Sequence, residues 1–319
     1  MANQQLAFVF PGQGSQKVGM LAGIAEQFPV VIDTFAEASD ALGYDMWAMV
    51  QGGPQEDLNL TERTQPILLT ASVALWRVWL EKNGVKPVLL AGHSLGEFSA
   101  LVCAGAMDFR DAVRLVRARG QFMQTAVPVG EGAMAAVLGV EDQQIIDICR
   151  EVSALSPAAG GGVVEAVNFN SPGQVVIAGK VAPVNLAIEK LKAVGCKRAM
   201  PLPVSAPFHT SLMRPAGDKL KEAMAALKFN APQIPVVHNV SAKPEADPEK
   251  IKAILFEQIF SPVQWTACVQ YMVSQGIATT VECGPGKVLS GLNKRIEKSL
   301  NCLGIDDNDG LNQALSALA

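Results

Sequence analysis

The sequence predicts an α/β protein in which a small βαββαβ unit is inserted into a larger unit built on a mainly parallel sheet. Three observations lead to this fold class. Apolar strand-like runs alternate with helical patterns through the first part of the chain, which is the order of parallel strands and crossover helices. From about residue 133 the elements become shorter, and after residue 205 the longer alternation returns.

Each element of the larger unit rests on its own pattern of apolar residues, glycine and proline. In order, the sequence predicts a strand over Leu6–Phe10, a glycine-rich turn over 11–16, helical segments over 18–42 and 66–82, a strand over 88–91, and helices over 97–106 and 108–125. Two glycine-rich turns therefore follow strands. In parallel sheets, ligands gather at that carboxyl edge.

The middle of the chain follows the split ferredoxin-like order. The predicted elements there are strand 133–138, helix Asp142–Ala154, strands 163–168 and 174–178, helix 182–194 and strand 197–203. Helices over 211–226, 248–259, 265–275 and 286–298 and strands over 236–240 and Thr279–Glu282 then return to the larger sheet. We therefore assign 1–127 and 205–319 to the larger unit and 128–204 to the small one.

The composition excludes several classes of protein. The 319 residues are 49% hydrophobic and 18% charged, which suits a globular chain with a substantial core. A net charge of −4 argues against a nucleic-acid-binding protein. No apolar run is long enough to span a bilayer, and the first residues lack the basic segment that opens a signal peptide. A cytoplasmic protein without membrane contact is therefore expected. The six cysteines have no paired spacing, so no metal site or disulfide framework is predicted.

The sequence Gly92-His93-Ser94-Leu95-Gly96 joins a predicted strand to a predicted helix. A serine at such an elbow projects its hydroxyl beyond the sheet, close to the amides of a helix start, and this suits nucleophilic attack on an acyl group. Gly92 and Gly96 are expected where a Cβ would obstruct the fold-back of the chain. The alternative is a tight connection in which Ser94 only caps the helix.

The turn Pro11-Gly12-Gln13-Gly14-Ser15-Gln16 could expose backbone N–H groups to an anion. Nucleotide binding is not favoured, because Lys17 stands where a dinucleotide fingerprint has its third glycine and no Gly-Lys-Ser/Thr follows. The turn can instead direct N–H donors at a group other than phosphate.

Arg119 interrupts an apolar helical stripe formed by Ala112, Val116 and Met123. A guanidinium on such a stripe requires a buried carboxylate or a bound anion, because a charge leaves water only with compensation. The alternatives are an internal salt bridge or a side chain that reaches out to solvent. This helix follows the one that begins after Ser94, so Arg119 could instead bind the free carboxylate of an acyl substrate.

Only three histidines could serve as a base for Ser94. His93 is adjacent, but neighbouring side chains diverge at an elbow, so we expect it to pack or to orient the turn. His238 lies in an apolar strand and is expected to be structural. His209, in an irregular turn before a helix, is the best candidate. No acid is clearly placed to complete a triad, so another group must orient the imidazole, and a backbone carbonyl could do so.

Seven motifs along the chain together carry a family resemblance. They are Phe10-Pro11-Gly12-Gln13-Gly14-Ser15-Gln16, Gly92-His93-Ser94-Leu95-Gly96, Arg119-Gly120 with Met123, Asn168-Phe169-Asn170-Ser171-Pro172-Gly173-Gln174, Phe208-His209, Pro262-Val263-Gln264-Trp265 and Glu282-Cys283-Gly284-Pro285-Gly286. In this order they resemble the malonyl-CoA:acyl carrier protein transacylases. The resemblance implies a hydrolase-like α/β core with a ferredoxin-like insert.

The resemblance also implies a ping-pong reaction without metal or cofactor, in which malonyl-CoA acylates Ser94 and an acyl carrier protein takes the malonyl group. It gives His209 the role of general base and acid and Arg119 that of the carboxylate clamp. It places the N–H groups of Gln13 and Leu95 in the oxyanion hole, with Gln13 also binding the substrate. It gives the main-chain carbonyl of Gln264 the role of orienting His209. His93 and Asn168 are implied as supporting residues, and Phe208 as a bulky residue that disfavours an α-methyl branch on the acyl group. Such exclusion of one methyl is worth only ~1–3 kcal/mol.

Three alternatives remain open from the sequence. The transfer could serve a polyketide pathway instead of fatty acid synthesis, the chain could be a serine esterase, or it could be an interaction module without chemistry. For the carrier protein, a local basic cluster opposed by Glu189 alone is a candidate docking site, with an ordinary solvated face as the alternative. The cluster consists of Lys190, Lys192, Lys197 and Arg198.

Overall fold

The computed structural model describes residues 5–204 and 206–319. Its strands are β1 (Leu6–Phe10), β2 (Leu89–Gly92), β3 (Gly132–Leu138), β4 (Val164–Ser171), β5 (Gln174–Lys180), β6 (Arg198–Pro201), β7 (Val236–Val237), β8 (Thr279–Glu282) and β9 (Asn301–Gly304). Its helices are α1 (Ala22–Gln27), α2 (Val30–Leu42), α3 (Met46–Gly52), α4 (Gln55–Leu58), α5 (Thr61–Glu81), α6 (Gly96–Cys103), α7 (Phe109–Thr125), α8 (Asp142–Ala154), α9 (Val181–Ala193), α10 (Arg214–Ala225), α11 (Pro248–Gln258), α12 (Trp265–Ser274), α13 (Val288–Ile296) and α14 (Asn308–Leu318).

The larger sheet has five strands in the order β7-β2-β1-β8-β9. All of its pairings are parallel, with Phe10 opposite Gly92 at the carboxyl ends of β1 and β2. Every residue of β1 and β2 is buried, as expected for a parallel sheet covered on both faces. The glycine-rich turn after β1 and the elbow after β2 therefore lie side by side at one edge of the sheet.

The second sheet has four strands in the order β4-β5-β3-β6, and all of its pairings are antiparallel. Because side chains alternate along β3, Ala135 and Val137 face the apolar side chains of α8 and α9. Met134 and Ala136 belong instead to the main core shared with the larger unit. The predicted fold class, a parallel core with an inserted ferredoxin-like unit, is confirmed.

The small sheet also joins the larger unit through backbone hydrogen bonds. Phe169 N donates to Val263 O at 3.0 Å, and Val263 N donates to Val167 O at 2.8 Å. This ladder fixes β4 beside the start of α12. We propose the predicted division after residues 127 and 204 as the domain boundaries; residues 1–4 and 205 lie outside the described residues.

Two predicted elements differ substantially from the structure, and α3, α4, β9 and α14 were not predicted. The helical segment 18–42 is divided into α1 and α2, because Phe28 precedes Pro29 and adopts an extended conformation. The strand predicted over 236–240 is only Val236–Val237, since His238 and Asn239 turn towards Glu97. Of the elements that were not predicted, α14 has a recognisable start signal, because Asp307 caps its first turn.

Candidate active site

Ser94 lies at the turn between β2 and α6 with φ of 51°. The two glycines of the elbow are required by close packing. A Cβ on Gly92 would lie 1.9 Å from the carbonyl carbon of Gly96, and a Cβ on Gly96 would lie 2.0 Å from Phe10 O. Ser94 is thus held in a left-handed conformation that is strained for a residue with a side chain, as is common at functional turns.

His209 lies in the turn before α10, also with positive φ, 64°. Its Nε2 is 2.8 Å from Ser94 Oγ. Its Nδ1 is 2.8 Å from the main-chain oxygen of Gln258. A carbonyl can only accept, so Nδ1 carries the proton and Nε2 offers its lone pair to the Ser94 hydroxyl. The pair has the geometry of a nucleophile and its base.

The carbonyl that orients His209 belongs to Gln258, so the assignment of this role to Gln264 was wrong. Gln258 is the last residue of α11, where main-chain carbonyls have no partner within the helix and carry partial negative charge. Gln264 instead precedes α12, and its N–H donates to Asn239 O at 3.1 Å. The expectation that a backbone carbonyl takes the place of an acid holds, but at a helix end.

Arg119 is 1% exposed, and the whole stripe of Ala112, Val116 and Met123 is buried with it. Its Nη1 donates to Gln65 Oε1 at 2.8 Å, and its Nη2 donates to Gln258 Oε1 at 2.9 Å and to Ser94 Oγ at 3.2 Å. These partners are neutral. Among the described residues, no acceptor contacts Arg119 Nε. The guanidinium therefore has no direct carboxylate partner there and lies against the serine.

Burial dominates the ionisation of the site. It lowers the pKa of Arg119 to about 9, against the opposing charge of Glu97, so the guanidinium is positive at neutral pH. It also lowers the pKa of His209 to about 3, with the positive charge of Arg119 as the second cause. In the resting site His209 is therefore a neutral base.

Three polar residues that support these groups were not predicted. Glu97, Asn239 and Gln258 are each 0% exposed. They connect the elbow and the arginine through hydrogen bonds between residues more than 100 positions apart, and Gln258 also contacts His209, 49 positions away. Only Glu97 had a sequence signal, as an acid in the first turn of a helix with an otherwise apolar face.

Ser94, His209 and Arg119 line one cavity of about 120 Å³. Its wall is Gln13, Gln65, His93, Ser94, Leu95, Arg119, Met123, Met134, Asn168, Leu202, Val204, Phe208 and His209. A Cβ on Gly12 would lie 2.6 Å from His93 O, so the first glycine turn packs directly on the elbow. In residues 5–204 and 206–319, no acceptor contacts the N–H groups of Gln13 and Leu95. Both are available to an oxyanion.

A second groove of about 460 Å³ shares Gln13 and Val204 with this cavity. Its wall includes Leu60 and Val129, whose side chains are 46% and 82% exposed. The groove therefore adjoins the cavity that holds Ser94.

The other predicted site residues also lie at the cavity. His93 Nε2 is 2.8 Å from Asn170 Oδ1, and burial lowers the pKa of this imidazole. Phe208 is buried in the wall beside His209. Asn168 Oδ1 is buried without a partner among the described residues. His238 contacts Glu97 in the core, as expected of a structural histidine.

The predicted basic cluster lies at the surface of the small unit. Lys192, Lys197 and Arg198 are exposed, but Lys190 Nζ is 2.8 Å from Glu151 Oε1. The statement that Glu189 alone opposes the cluster was therefore wrong, because α8 packs beside α9 and brings a second acid. The net positive charge is carried by the other three residues.

The low pKa of His209 predicts that activity does not fall between neutral and mildly acidic pH. The value of kcat/KM for acylation of Ser94 should stay constant from pH 8 to pH 5, because His209 is neutral throughout this range. With an unperturbed histidine, kcat/KM would fall about 30-fold over the same range. Rapid-mixing kinetics with an activated acyl ester at each pH measures this, with circular dichroism as the control for folding. A decline centred near pH 6.5 would contradict it.

The parallel sheet and the serine–histidine pair on a strand-to-helix elbow define the class of serine enzymes that handle acyl groups. The acyl transferase domain family matches residues 7–305. The malonyl CoA-acyl carrier protein transacylase of Escherichia coli (strain K12) is 57% identical over 311 residues, which cover 98% of this chain and 99% of that protein. The chain belongs to the malonyl CoA-acyl carrier protein transacylase family.

Solved structures give the same result. An acyl carrier protein S-malonyltransferase from Vibrio cholerae O1 has a TM-score of 0.94 and 57% identity, covering 97% of this chain and 99% of that one. A malonyl-transacylase in complex with a type II PKS acyl-carrier protein has a TM-score of 0.95 and 53% identity, covering 98% of this chain and 99% of that one.

In residues 5–204 and 206–319, no group of three or more His, Cys, Asp or Glu side chains is arranged to hold a metal ion. None of the helices described there combines the length and the apolar character needed to cross a bilayer.

Proposed function

We propose that this protein moves a malonyl group from malonyl-CoA to the phosphopantetheine thiol of an acyl carrier protein, through an ester on Ser94. One observation carries the proposal. Ser94 Oγ lies 2.8 Å from a neutral histidine and 3.2 Å from a buried guanidinium within one small cavity. A nucleophile, a base and an anion clamp in such contact suit an acyl group with a free carboxylate.

In the first half-reaction, His209 Nε2 takes the proton of Ser94 as Oγ attacks the thioester carbonyl. The N–H groups of Gln13 and Leu95 donate to the developing oxyanion. When the tetrahedral intermediate collapses, the carbon–sulfur bond breaks, His209 returns the proton to the sulfur, and coenzyme A leaves as the thiol. The malonyl group remains as an ester on Ser94.

The second half-reaction is the reverse with another thiol. His209 takes the proton of the carrier's phosphopantetheine, and the sulfur attacks the ester carbonyl. The bond to Ser94 Oγ breaks and the serine recovers its proton. Since a thioester is exchanged for a thioester, the proposed reaction needs no cofactor or metal, and coenzyme A takes part only as a substrate carrier.

Arg119 is proposed to bind the malonyl carboxylate. Its Nε is unpartnered among the described residues, and its neutral partners leave its charge available to an anion. A serine esterase has no need of a buried cation at this position, and this observation favours the transferase over the esterase.

The two half-reactions can be tested separately. Incubation with malonyl-CoA, followed by peptide mapping, should place a malonyl group on Ser94. Addition of a phosphopantetheinylated carrier protein should remove it and produce malonyl-carrier, whereas the carrier without its prosthetic group should not. Loss of the malonyl group to water at the same rate with and without carrier would contradict the proposal.

Phe208 is proposed to restrict branching next to the acyl carbonyl. Phe208→Ala should raise kcat/KM for methylmalonyl-CoA relative to malonyl-CoA by about 10- to 100-fold, because removal of the ring opens space for one methyl group. Competition between the two thioesters, read by mass spectrometry, measures the ratio. An unchanged ratio would show that another wall of the cavity excludes the branch.

The basic surface of the small unit is proposed to attract the acidic carrier protein. Replacing Lys192, Lys197 and Arg198 by glutamate should raise KM for the carrier several-fold at low salt, as expected when charge steering is removed. Kinetics with malonyl-CoA should stay unchanged. Reversal at Lys190, which is paired with Glu151, should have the smallest effect of the four. An unchanged KM for the triple variant would place docking elsewhere.

We further propose that the transfer supplies fatty acid synthesis in the cytoplasm. A polyketide role is the second candidate, because one of the similar structures is a complex with a type II PKS carrier. Comparing kcat/KM for the two kinds of carrier from the source organism distinguishes the roles, and cell fractionation tests the location.

A further inference from the structure

A buried carboxylate lies beneath the three groups to which we assign the chemistry. Glu97 is in the first turn of α6, directly after the elbow, and is 0% exposed. Its Oε1 lies 2.7 Å from His238 Nδ1, and its Oε2 accepts from Asn239 N and Gln258 Nε2, each at 2.9 Å. Burying a carboxylate costs free energy that these three hydrogen bonds offset, and two of the partners lead to the reactive groups.

The contact with Asn239 leads to the elbow. The side chain of Asn239 accepts from Ser94 N and donates to Gly92 O, both at 2.7 Å. It therefore holds the elbow on both sides of His93, where Ser94 keeps its left-handed conformation. Because Glu97 fixes the backbone of Asn239, the position of the nucleophile depends on the carboxylate.

The contact with Gln258 leads to the base and the clamp. One amide nitrogen, Gln258 Nε2, donates both to Glu97 Oε2 and to Ser94 O, at 2.9 and 3.1 Å. With both protons used, the amide oxygen must face Arg119 Nη2, while the main-chain oxygen accepts from His209 Nδ1. Without the carboxylate, the amide could rotate and turn its NH₂ group towards the guanidinium.

The amide also keeps Glu97 and Arg119 apart. A carboxylate in direct contact with Arg119 would neutralise the positive charge that a substrate carboxylate needs. The amide of Gln258 accepts from Arg119 Nη2 but carries no charge, so Glu97 acts on the guanidinium only from behind this neutral group. The charge of Glu97 raises the pKa of Arg119 against the effect of burial.

We propose that Glu97 is a positioning residue that aligns Ser94 through Asn239, and His209 and Arg119 through Gln258, while its distance from Arg119 leaves the clamp free for malonyl. The proposal rests on the functions assigned above to those three residues. Glu97 thus contributes to both half-reactions without contacting the substrate.

Glu97→Gln tests the alignment, because it removes the charge and one acceptor while keeping the shape. We expect kcat/KM to fall about 100-fold for malonyl-CoA and for acetyl-CoA alike, since a misplaced nucleophile affects every acyl group. Both rates should be measured on enzyme shown to be folded by circular dichroism. Wild-type rates with both substrates would overturn the proposal.

The double variant Glu97→Gln with Gln258→Glu tests the separation of charges. It exchanges the amide and the acid, so a carboxylate now contacts Arg119 directly, while the main-chain carbonyl of residue 258 remains. Both rates should stay low, because a carboxylate at 258 cannot donate to Ser94 O as the amide does. Relative to Glu97→Gln alone, malonyl transfer should fall further than acetyl transfer, because the carboxylate neutralises the guanidinium that binds malonyl. A malonyl-to-acetyl ratio equal to that of Glu97→Gln would overturn the proposal.

Two controls complete the experiment. Of the three residues that contact Glu97, His238 is the one that contacts neither the elbow, nor His209, nor Arg119. His238→Asn should therefore leave both rates unchanged. If Glu97→Gln does not fold, Glu97→Asp keeps the charge but is too short to contact Asn239 and Gln258 together, and the same loss is expected. Ser94→Ala in parallel separates the failures: activity there would reject the proposed function, whereas activity in Glu97→Gln alone would reject only this inference.

Discussion

Ser94→Ala is expected to lower malonyl transfer by about 10⁴-fold or more, the range found when a serine nucleophile is removed. The remaining groups could still bind malonyl-CoA, but no atom at the elbow could accept the acyl group. His209 would also lose the hydroxyl that lies 2.8 Å from its Nε2. Steady-state transfer to the carrier and the mass of the enzyme after incubation with malonyl-CoA are the two measurements.

Ser99→Ala is the matched control for this change. Ser99 is buried on the same helix, α6, and its Oγ has no partner among the described residues, so alanine removes no hydrogen bond that the structure records. This variant should be acylated at the wild-type rate. A malonyl ester found on the Ser94→Ala enzyme, or transfer at a comparable rate, would mean that another residue is the nucleophile.

Arg119→Ala is expected to separate malonyl from neutral acyl groups. For malonyl-CoA, kcat/KM should fall about 150- to 5,000-fold, because a buried, hydrogen-bonded charge pair lost at one partner costs about 3–5 kcal/mol. Acetyl-CoA carries no carboxylate, so its transfer should survive or rise. The two rates, measured with one enzyme preparation, give the ratio without reference to the amount of active enzyme.

Two further variants refine this result. Arg119→Lys keeps a positive charge but lacks the planar fork that contacts Gln65 and Gln258, so we expect it to recover only part of the malonyl activity. Arg114→Ala, on the exposed face of the same helix, should leave both substrates unaffected. An equal loss of malonyl and acetyl transfer in Arg119→Ala would remove the clamp from the mechanism and leave Arg119 a structural role.

Local chemistry explains why most of the fold could be predicted. Leu6–Phe10, Asp142–Ala154 and Thr279–Glu282 have the same bounds in the sequence analysis and in the structure, because apolar periodicity and flanking breakers define them. The segment 236–240 could not be predicted in this way. Its apolar residues indicate a strand, but His238 and Asn239 leave the sheet to bind a glutamate far away in the chain.

By itself, the sequence determined where a serine elbow must form and which arginine interrupts an apolar stripe. It also determined which histidine lies in an irregular turn from which it can contact the serine. These conclusions follow from steric and solvation rules that act within a few residues. Only the tertiary structure decided that Gln258, not Gln264, orients His209 and that Glu97 lies beneath the elbow. Hydrogen bonds such as Asn239 to Ser94 join residues 145 positions apart, and no local pattern records a partner that the folding of the whole chain brings into contact.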